Sequence, residues 1–185
     1  MILRTVTILA VAALVLLGGW SYGLNQEVMQ LRAALAAQQQ HDPAEEAAEQ
    51  AVHDLIAVQA LNTRYAHAFD FGERGGEAWA ETFTADGVFV SRGNEVKGHE
   101  ALAAFQQNVE KSGRRTRHVV SNIEVTRTGP DTATSSAYLS LYTPADEAGP
   151  ASVSTSRYAD QLVLTDAGWK IARREVVPDT LPPSE

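Results

Sequence analysis

The chain has 185 residues, 44% hydrophobic and 21% charged, the balance of a folded globular protein. Its 23 acidic side chains outnumber 15 lysines and arginines, for a net charge of −8, and such a surface repels polyphosphate and excludes nucleic acid as an expected partner. The absence of cysteine removes disulfides and thiol catalysis while leaving the compartment open.

The start of the chain speaks to the compartment. Met1 to Arg4 supplies one positive side chain, and Thr5 to Leu24 carries no charge. About 20 helical residues at 1.5 Å each just cover the hydrocarbon core of a bilayer. A cleaved secretory signal would be shorter and followed at once by a small-residue site. Here Gly18-Gly19-Trp20-Ser21-Tyr22 leads into more helix, and Ala34-Leu35-Ala36 lies far downstream. Residues 1–24 are therefore expected to form an uncleaved single-pass membrane anchor, with Trp20 and Tyr22 in the interfacial belt. Arg4 retained inside places the domain on the extracytoplasmic, periplasmic side.

Residues 25–43 read as a helical stalk. Leu24, Val28, Leu31 and Leu35 are spaced four, three and four apart, which suits either a short coiled coil or a plain continuation of the membrane helix. Asp42 as N-cap and Pro43 at the first helical position open a domain expected over 44–178. Residues 44–69 form one amphipathic helix whose apolar stripe runs through Leu55, Val58, Leu61, Tyr65 and Phe69. A second helix is expected from Glu77 to Phe83, a strand at Val88 to Ser91, a turn at Gly93-Asn94 into Glu95, Val96 and Lys97, and a third helix from about His99 to Lys111. Four strands follow, His118 to Arg127, Thr132 to Thr143, Ser152 to Thr165 and Trp169 to Val177, and residues 179–185 form a disordered tail. Helices first and a meander afterwards indicate an α+β fold, with three helices on one side of an antiparallel sheet.

The pieces Tyr65-Ala-x-Ala-x-Asp70, Trp79-x-x-x-Phe83-Thr-x-Asp86-Gly87, Gly98-x-Glu100-Ala101-Leu102, Arg117-His118-x-x-x-Asn122, Tyr158-x-Asp160 and Gly168-Trp169-x-Ile171 occur in this order over Val52 to Val177. In these the chain resembles the SnoaL-like group of the nuclear transport factor 2-like superfamily. The resemblance implies a strongly curved sheet wrapped against three helices, a cone with a pocket in its mouth. Among such proteins are dehydratases, including scytalone dehydratase and bile-acid dehydratases, isomerases and polyketide cyclases, as well as members without chemistry, so the fold leaves function open. It also implies association through the outer sheet face, hence a homodimer.

Asp70 closes the long helix where the dipole is negative, which costs a carboxylate a few tenths to about 1 kcal/mol and calls for a compensating partner. It either caps the next turn, as Asp70-Phe71-Gly72-Glu73 has the form of a capping box, or serves a site. In the resembling dehydratases, residues matching Asp70 and His118 form a dyad near a tyrosine matching Tyr65. A carboxylate on one ring nitrogen fixes the tautomer and makes the other a base near neutral pH. The implied chemistry is cofactor-free proton abstraction beside a carbonyl, then loss of hydroxide as water. Tyr65 and Asp70, five residues apart, point about 140° from one another in a regular helix and meet at one pocket only if the helix unwinds between them. Where scytalone dehydratase offers a second histidine, this chain has Tyr138, Ser140 and Tyr142. Tyr138, Ser140, Tyr158 and Asp160 are expected to line the pocket, although Asp160 equally suits an ion pair with Arg173 or Arg174; Trp169 belongs to the core. None of the five histidines has metal-ligand spacing, so neither metal nor cofactor is expected. Two functions follow. One is a membrane-anchored lyase or isomerase acting on a small hydrophobic carbonyl or hydroxyl compound; the other is a non-catalytic ligand-binding or assembly module at the membrane surface.

Overall fold

The structure is a computed structural model that describes residues 23–34, 42–145 and 149–179. The anchor expected over 1–24 and the tail thus lie almost wholly outside the described residues, among which no helix is long and apolar enough to cross a membrane. Two units are distinguished, Met1–Ala47 and Ala48–Glu185. In the first, residues 23–34 form a helix, α1, whose residues Leu24, Val28 and Leu31 are exposed. Further along, the Asp42 carboxylate accepts from the Ala44 N–H at 2.9 Å, the N-cap contact that starts the next helix ahead of Pro43.

That helix, α2, runs from Pro43 to Phe71. A 3₁₀ turn at Glu73–Gly76 and a single helical turn, α3 at Glu77–Ala80, follow. Strands β1 (Phe83–Ser91) and β2 (Asn94–Lys97) make a hairpin, α4 spans His99–Lys111, and β3 (Arg117–Gly129), β4 (Thr132–Thr143), β5 (Ser152–Thr165) and β6 (Gly168–Pro178) form a meander. Among the described residues these strands form one open sheet in the order β2-β1-β6-β5-β4-β3.

Two expectations need correction. The sheet is mixed, because β1 and β6 run parallel, with Phe89 opposite Arg174 and Val90 opposite Glu175. Hairpin turns set directions within β1–β2 and within the meander, whereas a helix joins the two groups and leaves their relative sense free. The second helix also stops at Ala80, and Phe83 already belongs to β1. Trp79 and Phe83 are both buried, with ring centroids 5.3 Å apart, but a change from helix to strand achieves this as well as an i, i+4 pair does. Gly87 permits the register shift between Phe83 and Val88, since a Cβ there would lie 2.7 Å from the Phe83 Cβ.

The core lies between α2 and the sheet face carrying Ala133, Ala137, Leu139, Tyr158, Leu162, Trp169 and Ile171. Trp79 is its centre, in ring contact with Tyr65, Phe69, Phe89 and Phe105 at 5.1–5.9 Å. Gly76 (φ +88°) lets the short helical segment press on α4: an added Cβ would lie 2.5 Å from the Ala103 carbonyl oxygen. Gly76→Ala should therefore cost about 2 kcal/mol or more in urea unfolding, from left-handed strain and overpacking together.

One polar cluster fastens α2 to the meander. Asp54 accepts from Arg127 Nε at 2.5 Å and Nη2 at 3.0 Å, from Trp169 Nε1 at 3.2 Å and from Gln50 Nε2 at 3.1 Å. The Arg127 hydrogen bond, opposed by burial, holds the Asp54 carboxyl below its ordinary value of 3.8. A depressed native pKa means stabilisation that is full above the unfolded value and lost as pH falls through the folded one. Asp54→Asn should lower stability by about 2 kcal/mol at pH 7, and the gap from wild type should close towards pH 3 in parallel urea titrations.

Candidate functional site

Asp70 sits in the last turn of α2, which continues through Phe71 before Gly72 breaks it at φ +61°. Its side chain caps nothing in the next turn, whose N-cap Gly72 has no side-chain bond. Asp70 turns instead to the start of β3. There its Oδ1 accepts from His118 Nδ1 at 2.6 Å and from the Thr116 hydroxyl at 3.1 Å, while Oδ2 accepts from the His118 N–H at 2.8 Å. These donors offset the unfavourable helix end. Both side chains are nearly inaccessible, 5% exposed for Asp70 and 7% for His118. The contact fixes the proton on Nδ1, so Nε2 of neutral His118 carries a lone pair. Among the described residues nothing hydrogen-bonds Nε2.

The helix does not unwind between Tyr65 and Asp70, contrary to the geometric condition drawn from the sequence. His118 bridges the two directions instead, for its ring meets Tyr65 edge-on at 6.0 Å and Phe69 at 5.0 Å while its Nδ1 reaches Asp70. Asp70 therefore stands behind His118, outside the cavity that His118 and Tyr65 line.

That cavity measures about 130 Å³. Phe69, Phe89, Phe105, Leu139, Leu141 and Val176 supply apolar walls, and Tyr65, Tyr158, His118, Thr116, Ser91 and Arg114 supply polar atoms. An apolar cavity of about 150 Å³ accepts benzene, so the space suits a ligand of one ring. His118 also borders an outer groove of about 480 Å³ between α2 and β3.

The register of β4 corrects the expected lining. Leu139 and Leu141 face the cavity, while Tyr138 points away and is 57% exposed, with Ser140 on the same outward side. On β5, Tyr158 lines the cavity, whereas Asp160 is buried beside it in an ion pair with Arg174. Arg174 Nε and Nη2 reach Asp160 at 2.8 and 2.6 Å, and Nη2 also reaches Asn62 at 2.7 Å. Its guanidinium lies 4.3 Å from the Tyr65 ring centre and 3.9 Å from that of Tyr158. Burial pushes the Tyr65 hydroxyl above its ordinary range, with Arg174 opposing the rise, and pushes Tyr158 well above it. Both hydroxyls keep their protons at neutral pH and are available as donors. Tyr65 neighbours the Tyr158 hydroxyl, yet the latter has no partner of hydrogen-bonding geometry among the described residues.

Thr116 and Asn62 escaped sequence reasoning. Thr116 precedes His118 by two, which in a strand places both on one side, but Asn62 resembles any polar residue of a helix. Arg174 was named only as one of two partners for Asp160. Among the described residues no three histidine or carboxylate side chains converge as a metal site would require.

Residues 50–175 match the family described as SnoaL-like domain. No curated protein matches the sequence. Solved structures do. Rv3472, a function-unknown protein of Mycobacterium tuberculosis, is 29% identical, with 68% of this chain and 76% of that one covered and a TM-score of 0.61. A protein of Novosphingobium aromaticivorans provisionally assigned as an aromatic ring hydroxylase is 29% identical, with coverages of 70% and 92% and a TM-score of 0.62. A provisional scytalone dehydratase of the same organism, 19% identical with coverages of 72% and 89% and a TM-score of 0.63, shares the fold.

Proposed function

For a chain that belongs to the SnoaL-like domain family, we propose a cofactor-free lyase or isomerase of the dehydratase type, acting on a small hydrophobic carbonyl or hydroxyl compound. The observation that carries the reading is the Asp70–His118 contact at 2.6 Å behind an apolar cavity. In this mechanism His118 Nε2 takes a proton from the carbon beside a carbonyl, and Asp70 stabilises the imidazolium through Nδ1–H. The Tyr65 or Tyr158 hydroxyl donates to the carbonyl oxygen as negative charge develops there. Returning the proton from Nε2 to the departing hydroxyl releases water; returning it to another carbon isomerises the compound. Removing the cavity-facing base should lower turnover about 10²- to 10⁴-fold. A panel of one-ring β-hydroxy ketones, followed by the absorbance of the conjugated product, tests this with wild type and His118→Ala. Equal rates in the two proteins would remove the dyad from the chemistry.

A second reading, an assembly module, rests on a different surface. Val119, Tyr138, Tyr142 and Val153 are 41–62% exposed, and Tyr142 stands opposite Val153 in the β4–β5 register. An outward apolar face of this kind suits a homodimer. Sedimentation of wild type and Tyr138→Glu would decide it, since a monomer in both cases leaves that face unpaired. In either reading the apolar segment 5–24 tethers the domain at the extracytoplasmic surface of a membrane. A topology reporter fused after Glu185 tests this placement, and a cytoplasmic signal would overturn it.

A further inference from the structure

The cavity beside His118 has apolar walls, and its polar atoms differ in what they already hold. His118 is tied to Asp70 through Nδ1, and the Thr116 hydroxyl is spent on the same carboxylate. The Tyr158 hydroxyl and the Arg114 side chain belong to the lining groups left without a hydrogen-bond partner among the described residues. The Tyr158 hydroxyl, on a residue 1% exposed, has none among the described residues, and a buried donor left unmade is costly unless a ligand supplies the acceptor. The Arg114 side chain makes no hydrogen bond or ion pair among the described residues. It borders both the cavity and an adjoining surface groove, and it is solvent-exposed, which sets it at the mouth while Tyr158 stands inside.

The groove that adjoins the cavity carries Arg114, Arg115 and Arg117 although the chain is acidic. Lys111, Arg114, Arg115 and Arg117 fall within seven residues. Arg117 is engaged with the Thr116 carbonyl at 2.7 Å and with the Phe71 ring at 4.7 Å. The nearby acidic groups are Asp70, which accepts three hydrogen bonds already, and Glu110, which borders the adjoining groove and not the cavity. A guanidinium is the side chain best matched in shape to a carboxylate.

We propose that the cavity takes a one-ring carboxylate bearing a second oxygen, with Arg114 receiving the carboxylate at the mouth and the Tyr158 hydroxyl donating to the other oxygen inside. This rests on the reading of the cavity as a ligand site, and it assigns Arg114 the discrimination between acidic and neutral ligands. The volume of about 130 Å³ limits the ligand to about one ring.

The probes are 4-hydroxybenzoate, benzoate and 4-hydroxybenzamide, titrated into the full chain by calorimetry at low salt. Wild type should bind 4-hydroxybenzoate about tenfold more tightly than the amide, a preference that falls with added salt. Arg114→Gln, a change at an exposed position, should erase the preference. Tyr158→Phe, which keeps the ring that stacks on Arg174, should reduce 4-hydroxybenzoate to the affinity of benzoate. Equal binding of acid and amide by wild type, a preference that survives in Arg114→Gln, or no binding of any probe would overturn the proposal. The two readings fail separately. Loss of the acid preference alongside His118-dependent turnover of a neutral ketone rejects this inference alone, and an intact preference without such turnover rejects the lyase alone.

Discussion

Asp160→Ala is expected to lower the unfolding free energy by about 3–5 kcal/mol, the cost of stranding a buried charge. Both side chains of the pair are wholly inaccessible. Burial opposes the charge on Arg174, but the charge and hydrogen bonds of Asp160 more than offset it and hold the guanidinium protonated. Among the described residues Nη1 has no hydrogen-bond partner even in the native arrangement. Without Asp160 the guanidinium keeps a single side-chain acceptor, Asn62, and the Ser135 hydroxyl loses the carboxylate it bonds at 3.1 Å. Urea unfolding should register the loss, and the melting temperature should fall by roughly 10 °C or more. The double variant Asp160→Leu, Arg174→Met should recover most of it, because two apolar side chains strand no charge.

Asp70→Asn should lower kcat by roughly 10³-fold on any substrate that depends on His118, with little change in KM. The substitution keeps the size and shape of the side chain. The His118 backbone N–H can only donate, so the amide oxygen must stay with it. The amide NH₂ then faces Nδ1, which has to become the acceptor, and the ring proton moves to Nε2. Nε2 thereby loses the lone pair that takes up a proton. Asp70 lies outside the cavity, so binding should be spared, and this separation of kcat from KM marks a positioning residue. An unchanged kcat would mean that the carboxylate serves only to fasten α2 to β3.

Much of this arrangement was legible in the residue order. The stripe Val58, Leu61, Tyr65 marked the buried face of α2, and the meander followed from its turns and β-branched runs. The parity of β4 was not legible. Its outward positions include Tyr138 and Tyr142, and three of its inward ones are Ala133, Ser135 and Ala137, the reverse of the usual large-inside pattern. The reason lies on other elements. Tyr65, Tyr158 and the Arg174 guanidinium stack beneath that face, and Ala137 stands opposite Tyr158, so small residues on β4 leave room for the stack. Two of the three members come from strands that follow β4 in the chain, so no window of sequence around it contains the cause. Asp70 and His118 were named together through the family resemblance, since a separation of 48 residues carries no periodicity. Arg114 lay in a basic run with no pattern that distinguishes it from its neighbours.

The parallel pairing of β1 with β6 orders events during synthesis. Phe83 stands in register with Ile171, whose N–H donates to the Thr82 carbonyl at 3.0 Å, so the hairpin of β1 and β2 leaves the ribosome with one edge open until β6 is translated. That edge carries Phe89 and Val90, both buried in the finished domain. A chain halted before Gly168 would present an unpaired apolar strand, the template on which aggregation begins. Part of the α2 contact waits as well, since Asn62 and Tyr65 meet Arg174 only when β6 arrives, whereas Asp54 and Asp70 already reach β3. Pairing between such distant parts of the chain is expected to make closure of this sheet slow for its size.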